Sequence, residues 1–298
     1  MLDLLYIHWD ADPLIFNIGS FGVRWYSFGF LFAFVIGYLI LNRMFKRQGV
    51  DTVYAESLVM YMFLAVLIGA RIGHCVFYEP DYYLTAEHWW EMAIPIVNGH
   101  FTGYQGLSSH GAAFAILFAL WLYYKKKHIN TWWVLDRIAI IVALGGTFIR
   151  FGNFMNSEIY GYETTLPWGV IFARDPEAGP NPRHPSQLYE SLSYLCLFTI
   201  CMIIYHKKGG ELHNGRLFGW WLAALFTIRI LIEFTKVRTV DLGNSFFSMG
   251  QWLSVPFVLL GLTLVSLSYK GKLKEGVYTE GFEEADKKRL AKVNNKNK

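Results

Sequence analysis

Two stretches of this chain carry no charged residue and are each long enough to cross a membrane. They run over Trp25–Leu41 and Phe246–Tyr269. A helix needs about 20 predominantly apolar residues, with a range of about 17–25, to span the hydrocarbon core of a bilayer. Within that core every backbone N–H and C=O must find its partner inside the chain, so the possible folds are helices and closed barrels. The sequence therefore predicts a helical membrane protein.

The composition extends this prediction to most of the chain. Charged residues make up 17% of the sequence, whereas soluble domains hold about 25%. We therefore predict an all-α membrane protein, built as a bundle of about seven transmembrane helices with a small extracytoplasmic cap. The predicted spans are 22–42, 55–77, 107–124, 132–150, 186–205, 215–234 and 246–269.

The pattern also predicts how the chain is divided. Residues 1–269 form the seven-helix transmembrane domain, and 151–185, which contain several Gly and Pro, form the cap within it. We expect a short strand in the cap at Leu166–Phe172. Segment 78–106 places Tyr and Trp around short apolar stretches, which is typical of an interfacial element. Residues 270–298 are charged and polar, so we expect a cytoplasmic tail that is partly disordered.

The basic residues between the spans predict the orientation of the chain. Four segments on one side, 42–54, 125–131, 206–216 and 270–298, hold three, three, three and nine Lys or Arg. On the opposite side no Lys or Arg precedes Arg24. Cytoplasmic loops carry the excess of Lys and Arg, so the N-terminus is predicted outside and the C-terminus in the cytoplasm.

Composition also argues against several kinds of partner and leader. The net charge of +4 is divided among loops that flank the membrane, so we expect no nucleic-acid partner. Cys75, Cys196 and Cys201 lie in apolar runs without the spacing of a metal site or a disulfide framework. Residues 1–18 contain Asp but no Lys or Arg, which is not the pattern of a cleavable signal peptide.

Polar and charged side chains gather at the outer ends of all seven predicted spans. An ionisable residue inside a membrane costs about 2.5–3.5 kcal/mol even on insertion scales, and it marks a functional site by default. Arg71, Arg150 and Arg229 outnumber Glu158 and Glu233, so the pattern predicts a polar cavity for an anionic headgroup, a phosphate first of all. In span order the outer-end residues are Arg24 and Tyr26; Arg71 and His74; His110; Arg150; His184, Gln187 and Glu190; Arg229 and Glu233; and Gln251.

A pair of charged residues lies outside this set. Asp136 and Arg137 are at the inner start of the fourth predicted span. We interpret them as a structural or topological pair.

Six segments, taken together and in order, resemble the prolipoprotein diacylglyceryl transferases of bacteria. The longest, Gly145–Gly161, matches the signature of that family, and the resemblance extends from about Trp25 to Tyr269. The segments are GARIGHCVFY (69–78), SSHGA (108–112), GGTFIRFGNFMNSEIYG (145–161), RHPSQLYE (183–190), RILIEF (229–234) and SMGQWLS (248–254).

The resemblance implies a multi-pass enzyme of the bacterial inner membrane. Such an enzyme moves the diacylglyceryl group of phosphatidylglycerol onto the lipobox cysteine thiol of a prolipoprotein signal peptide, forms a thioether and releases glycerol phosphate. It implies no metal and no cofactor. The functional positions implied by the matching motifs are Tyr26, His110, Arg150, Asn153, Glu158, Gly161, Arg229 and Glu233, with Arg71 as a supporting candidate.

This chemistry suggests a role for several of these residues. Arg150 and Arg229 are expected to hold the phosphate, with Asn153 as a neutral donor. His110 is the first candidate for the general base that takes the thiol proton, since an unperturbed His titrates near neutral pH. Glu233 and Glu158 remain alternatives. Glu158 and Gly161 are expected to shape the cap over the site, Gly161 through its backbone.

Other readings of some residues stay open at this point. Glu233 can pair with Arg229 one helical turn away, either to orient it or as a purely structural pair. Tyr26 fits either the site or an interfacial aromatic belt. The chain also departs from the family: Leu225 stands where many members have Tyr, and Lys236 stands where many have Arg. Lys236 keeps the charge and loses the bidentate fork of Arg.

Two other classes of protein would also produce seven apolar spans. A transporter for an anion or a lipid, with a phosphate site in the outer leaflet, would use the same cavity. Transporters commonly show internal repeats, and we find no repeat in the sequence and no charged path through the inner halves of the spans. A receptor for a soluble ligand is favoured by the number of spans alone.

Overall fold

The fold is described from a computed structural model of the chain. It covers residues 6–18, 21–85, 87–94, 96–97, 100–101, 108–208, 210, 212–237 and 247–296. The described chain is mostly helical and falls into two compact units. The first unit is Met1–Gln48 with Trp132–Glu275, and the second is Gly49–Thr131 with Gly276–Lys298.

Each of the seven ranges predicted to cross the membrane holds a long helix. Five of the described helices, namely α1, α2, α5, α6 and α8, are long and apolar enough to span a bilayer. In chain order the helices are α1 Trp25–Arg47, α2 Thr52–Phe77, α3 Pro80–Tyr83, α4 Ser109–Lys127, α5 Thr131–Met155, α6 Ser186–Lys207, α7 Arg216–Glu233, α8 Met249–Tyr269 and α9 Phe282–Lys296.

One end of the first unit is fixed by two buried charges on α5. The Asp136 carboxylate accepts hydrogen bonds from the backbone N–H of Gly215 and of Phe218, each at 2.8 Å. It therefore caps the start of α7, where Gly215 offers no side chain. Arg137 instead donates to the Gln48 side chain at 2.7 Å and to the Trp133 carbonyl at 2.8 Å. These contacts fit the predicted structural role of Asp136 and Arg137. Each of the two side chains, however, bonds to other groups and not to its neighbour.

The hydrophobic core of the first unit lies where α5, α6 and α7 meet. Close approach between α7 and α8 depends on glycine: a Cβ at Gly261 would lie 2.6 Å from the Ala223 backbone nitrogen. Small residues of this kind let membrane helices pack backbone to backbone. The central cluster comprises Met44, Ala139, Ile140, Ala143, Leu197, Cys201, Tyr205, Leu217, Trp221 and Leu222.

The other end of the first unit carries short strands. Strand β1 (Ile7–Trp9) pairs in parallel with β6 (Val170–Phe172), and β2 (Leu14–Ile18) pairs antiparallel with β3 (Phe21–Arg24). Strand β6 falls within the range in which the sequence predicts a strand, whereas the strands before α1 were not predicted. The Trp9 indole N–H donates to the Phe154 carbonyl at 3.1 Å, which ties β1 to the end of α5.

In the second unit, α2 and α4 pack through glycines. A Cβ on Gly73 would lie 2.6 Å from the Cα of Gly111, so neither position has room for a side chain. The Tyr123 hydroxyl donates to the Tyr54 carbonyl at 2.9 Å farther along the same pair of helices. After α2 the chain forms α3, a 3-10 turn at Trp89–Met92 and the paired strands β4 (Ile96–Val97) and β5 (His100–Phe101).

The tail differs from the sequence prediction of partial disorder. Its helix α9 packs against the second unit through polar contacts: the Tyr54 hydroxyl donates to Asp286 at 2.7 Å, and Arg289 pairs with Asp51 at 2.9 Å. Tyr278 and Phe282 stack with ring centroids 3.7 Å apart. Composition indicated a solvated tail because the aromatic and charged partners of α9 lie far away in sequence.

Candidate active site

The end of α5 and the turn after it hold a chain of polar side chains. Arg150 and Asn153 are three residues apart and so lie on one helix face. The Arg150 Nη1 atom is 3.4 Å from Asn153 Oδ1, and Asn153 Nδ2 donates to Glu158 Oε1 at 2.6 Å. Asn156 Nδ2 is 3.4 Å from the same carboxylate oxygen. The structure therefore joins Arg150, Asn153 and Glu158, three of the predicted site residues, in one network.

The backbone around Glu158 is held in an unusual conformation. Ser157 and Ile159 have φ of 56° and 61°, in the left-handed region that β-branched residues rarely adopt. Such residues cost about 1–3 kcal/mol each and persist where the surroundings enforce them. The Glu158 N–H donates to the Asn153 carbonyl at 3.1 Å, and Gln187 Nε2 donates to the Glu158 carbonyl at 2.6 Å. This turn directs the Glu158 carboxylate back onto α5.

Glu190 was predicted at the outer end of its span, but sequence reasoning gave it no role in the site. It is only 1% exposed. Its Oε2 lies 2.9 Å from Arg150 Nε, and its Oε1 lies 2.8 Å from Lys236 Nζ. The sequence showed Glu190 at the outer start of its span, but no local spacing relates it to Lys236, which lies 46 residues away.

This bridge brings two charges into the site that the predicted charge count did not include. Within the first unit Arg150, Arg229 and Lys236 stand against Glu158, Glu190 and Glu233. The predicted count omitted Glu190 and Lys236, which add one charge of each sign. It included Arg71, which belongs to the second unit, so these six residues of the first unit are balanced in charge. The two cations bound to Glu190 are preorganised by it.

Gly161 connects the turn to the ends of α6 and α7. Its N–H donates to the His184 carbonyl at 2.8 Å, and the next residue, Tyr162, donates through its N–H to the Thr235 carbonyl at 2.9 Å. A Cβ at Gly161 would collide with the Thr235 carbonyl and lie 2.6 Å from Ser186 Oγ. These contacts fit the expectation that Gly161 serves through its backbone. Burial lowers the pKa of the neighbouring His184.

Glu233 lies at the end of α7 beside a cavity. Its Oε1 accepts a hydrogen bond from the Ser248 hydroxyl at 3.0 Å, and its Oε2 lies 4.0 Å from Lys236 Nζ. The ion pairs between described residues do not include the predicted pair of Arg229 with Glu233. The cavity has a volume of about 380 Å³ and is lined by Tyr162, Glu233, Phe234, Lys236, Ser248 and Gln251.

Tyr26 lies at the border of this network, whereas Arg229 lies on the last turn of α7. Tyr26, at the start of α1, packs on α5 so closely that a Cβ at Gly152 would be 3.1 Å from the Tyr26 Cα. It interacts electrostatically with Glu158 and Arg150. The Arg229 guanidinium lies 6.0 Å from the centre of the Phe226 ring. The structure thus places Tyr26 with the signature residues, in addition to any role in an aromatic belt.

The two remaining predicted residues belong to the second unit. His110 is exposed on the first turn of α4. Arg71 is only 4% exposed, and its Nη2 donates to the Tyr83 hydroxyl at 3.2 Å and to the Glu91 carbonyl at 3.0 Å. Arg71 therefore holds the segment after α2 in place, a contact that sequence reasoning did not foresee.

Within the described part of the chain, no three His, Cys, Asp or Glu side chains are grouped so that they could hold a metal ion.

Comparison with known proteins decides the family. The model of the prolipoprotein diacylglyceryl transferase family matches residues 13–267. The chain belongs to this family. Curated relatives named phosphatidylglycerol–prolipoprotein diacylglyceryl transferase include one from Bacteroides fragilis, 40% identical over 265 residues, covering 87% of this chain and 94% of the relative. One from Tolumonas auensis is 40% identical over 272 residues (90% and 100% covered), and one from Porphyromonas gingivalis is 36% identical over 286 residues (91% and 97%).

Family membership confirms the resemblance. The structure shows what surrounds the two residues that depart from the family pattern, Lys236 and Leu225. In this diacylglyceryl transferase Lys236 reaches Glu190 with a single ammonium group at 2.8 Å, where the fork of an arginine would reach with two nitrogens. Leu225 packs against the core between α5, α6 and α7. Its side chain brings no hydroxyl to the site.

Proposed function

We propose that this protein transfers the diacylglyceryl group of phosphatidylglycerol to the lipobox cysteine of prolipoproteins. The cysteine sulfur forms a bond to the glycerol carbon that carries the phosphate, and the bond from that carbon to the phosphate oxygen breaks. The products are a thioether-linked lipopeptide and glycerol phosphate. The thiol proton passes to a base on the enzyme, and the leaving group departs as a phosphate monoester.

The observation that carries this proposal is the network of Arg150, Asn153 and Glu158 in a chain of this family. Arg150 and Asn153 are joined at 3.4 Å, and Asn153 and Glu158 at 2.6 Å. The curated relatives bear the names of both substrates, phosphatidylglycerol and prolipoprotein. Family membership does not favour the alternative of an anion or lipid transporter.

In this mechanism Arg150 and Arg229 bind the phosphate of the lipid. Glu190 engages one nitrogen of the Arg150 guanidinium, at Nε. A guanidinium has five N–H donors, so others remain for phosphate oxygens. Asn153 adds a neutral donor, and Tyr26, packed on the same part of α5, lines the site. Stabilising the charge that grows on the leaving phosphate is the main contribution of such donors.

Ionising the thiol is the second requirement of the reaction. A free cysteine has a pKa near 8.5, and its thiolate is the nucleophile. His110 of the second unit is the first candidate for the base, and Glu233 and Glu158 of the first unit are alternatives. Replacing each by Gln and measuring single-turnover transfer against pH separates them, because loss of the base removes the acid limb of the profile.

We further propose that all seven long helices span the inner membrane, with residues 151–185 as the extracytoplasmic cap. The positive-inside pattern supports a cytoplasmic C-terminus and an extracytoplasmic N-terminus. In a variant without the three native cysteines, an impermeant thiol reagent applied to intact cells should label a cysteine placed at Asn181 and spare one at His213, both of which are exposed. The reverse pattern would overturn this topology.

A transfer assay tests the function directly. Purified protein is incubated with phosphatidylglycerol labelled in its acyl chains and with a lipobox peptide. Wild type should yield labelled peptide, and Arg150→Ala should lower the rate about 100-fold or more, as expected when a donor to the developing charge is lost. Arg150→Lys should fall between the two, because it keeps the charge without the fork.

A matched control comes from a second arginine of the first unit. Arg174 is an exposed residue of the cap that pairs with Asp10 at 2.9 Å, and Arg174→Ala should retain transfer. No labelled peptide from wild type, under conditions in which a known family member makes it, would refute the proposed function. Full activity in Arg150→Ala would keep the function and remove Arg150 from the phosphate site.

A further inference from the structure

The cavity beside Glu233 is also lined by groups to which the proposed reaction assigns no role, among them Lys236 and Ser248. We infer that this cavity binds the terminal glycerol of the lipid headgroup, with Glu233 and Lys236 as the residues that select a neutral diol. The inference rests on the proposed function. A volume of about 380 Å³ lies within the range of about 300–1,000 Å³ typical of small-molecule sites.

The charges of the lining are balanced. Glu233 Oε2 and Lys236 Nζ are 4.0 Å apart, opposite in charge but too distant for a direct hydrogen bond. An ionised carboxylate only accepts hydrogen bonds and an ammonium only donates them. A ligand between them therefore fits best when it is neutral and offers both a donor and an acceptor. The two hydroxyls of a glycerol headgroup satisfy this requirement.

Both charged groups are held by buried partners. The Ser248 hydroxyl fixes the Glu233 carboxylate at 3.0 Å. Ser248 is in turn held by a capping box with Gln251, whose Oε1 accepts from the Ser248 N–H at 2.9 Å. Glu190 holds Lys236 at 2.8 Å. Because these side chains are positioned before a ligand arrives, little ordering is left for binding to supply.

The position of the cavity matches the order of groups in the lipid. Glu190 joins Lys236, in the wall of the cavity, to Arg150, the residue proposed to hold the phosphate. Phosphate and terminal glycerol are adjacent in phosphatidylglycerol. The Glu190 carboxylate therefore lies between Arg150 and Lys236, which would bind the phosphate and the terminal glycerol of the same headgroup.

The same lining works against a cationic headgroup. The ammonium of phosphatidylethanolamine would be drawn to Glu233 but would lie beside the Lys236 ammonium, a like charge. Selectivity by repulsion of the wrong ligand is as effective as attraction of the right one. Lys236 thereby keeps the carboxylate available to hydroxyl groups.

Donor competition tests the role of Glu233. Phosphatidylglycerol and phosphatidylpropanol, which has the same headgroup length and no hydroxyl, are mixed in one vesicle with distinct acyl labels, and the ratio of the two lipopeptide products is measured. A ratio from one mixture does not depend on how much of a variant is folded. Wild type should favour phosphatidylglycerol by about 10- to 100-fold, the range for hydrogen bonds to a charged group.

Glu233→Gln should reduce that preference about 10-fold. Ser248→Ala removes only the hydrogen bond that fixes the Glu233 carboxylate and should reduce the preference for phosphatidylglycerol about threefold. If Glu233→Gln gives no product from either donor, the product ratio of Ser248→Ala is the test of the inference. Equal use of both donors by wild type would overturn the inference, as would a preference unchanged in Ser248→Ala and in any active Glu233→Gln. No transfer from any donor by wild type would instead refute the proposed function.

A second competition, between phosphatidylglycerol and phosphatidylethanolamine, tests Lys236. Lys236→Met should raise the relative use of phosphatidylethanolamine about 10-fold, because the repelling charge is gone. Lys236→Arg keeps the charge and should leave the ratio within about twofold of wild type. A ratio that is the same in Lys236→Met and wild type would show that this ammonium does not select the headgroup.

Discussion

The bridge formed by Glu190 leads to a prediction that can be worked out from the structure. The carboxylate is 1% exposed, and its two partners, the side chains of Arg150 and Lys236, are 18% and 12% exposed. Glu190→Gln keeps the size of the side chain and removes the charge. Both cations would then remain in a largely desolvated place without a counter-charge.

The expected loss of stability follows from the burial of the three groups. Removing one member of a buried ion pair destabilises a protein by about 3–5 kcal/mol, because the remaining charge is left uncompensated. Two cations depend on Glu190, and the Gln oxygen can still accept one hydrogen bond, so we expect a loss of about 3–4 kcal/mol. Adding Lys236→Met to Glu190→Gln removes one of the unpaired cations. It should recover about 1–2 kcal/mol, within the usual range of coupling energies.

Equilibrium unfolding in mixed micelles, followed by tryptophan fluorescence, measures these free energies. Glu163→Gln is the matched control, because Glu163 also pairs with an arginine, Arg183, but at 3.7 Å and with 54% of its side chain exposed. An exposed pair contributes about 0–1 kcal/mol. If Glu190→Gln and Glu163→Gln lowered the free energy of unfolding equally, Glu190 would not be an ionised bridge between two cations.

Three further predictions concern other parts of the molecule. Asp136→Ala removes the acceptor of two backbone N–H groups at the start of α7 and should cost about 2–3 kcal/mol of unfolding free energy. Gly111→Ala would place a Cβ 2.7 Å from the Cα of Gly73 and should cost about 1–3 kcal/mol through overpacking of α2 and α4. Burial and the hydrogen bond to Asp175 raise the pKa of Tyr160 from 10.0 to about 12, so the folded state favours the protonated phenol. Stability should fall as pH rises from 10.0 through about 12, and Tyr160→Phe should lose less over that interval.

Each of these has an outcome that would contradict it. Asp136→Asn, which keeps one acceptor oxygen, should be less damaging than Asp136→Ala, and equal damage would argue against the cap. For Gly111, a matched glycine is Gly271, whose Cβ would meet nothing within 4 Å. Gly271 has a φ of 65°, so an alanine there adds local backbone strain of its own. Gly111→Ala and Gly271→Ala are therefore compared by the yield of crosslinking between α2 and α4, and equal yields would contradict the predicted overpacking at Gly111. Identical alkaline curves for wild type and Tyr160→Phe would remove the Tyr160 contribution.

The long helices could be predicted because a hydrocarbon environment leaves few alternatives for an apolar run. Their ends were harder to place. The first span was predicted to end at residue 42, whereas α1 continues to Arg47 with Lys46 and Arg47 in its last turn. Basic side chains are stabilised at a helix C-terminus and reach the headgroup region, so charge marks the limit of the membrane rather than the limit of the helix.

The site was predictable where its residues are close in sequence. Arg150, Asn153 and Glu158 lie in one signature, and helical spacing alone puts the first two on one face. The contacts of Glu190 with Lys236 were not predictable, because they join α6 to the end of α7 and no short-range pattern records such a pair. The interpretation of Arg229 as partner of Glu233 relied on spacing, and the carboxylate is engaged by Ser248 and Lys236 instead.

The strand pairing of the first unit was missed for a similar reason. Three-residue strands have almost no periodicity, and β1 has its partner, β6, more than 150 residues away in sequence. Tail helix α9 shows the opposite error. Its polar composition indicated disorder, and its contacts with Asp51 and Tyr54 become visible only when the fold brings distant segments together.

The parallel pairing of β1 with β6 has a consequence for how the protein is made. Ile7 pairs with Val170, so β1 leaves the ribosome about 160 residues before its partner, which corresponds to roughly 10–30 s at ordinary rates of synthesis. During that interval the indole of Trp9 also lacks its acceptor, since Phe154 belongs to a helix still being made. The first strand of the chain therefore reaches its final place only after α5 and β6 have been made.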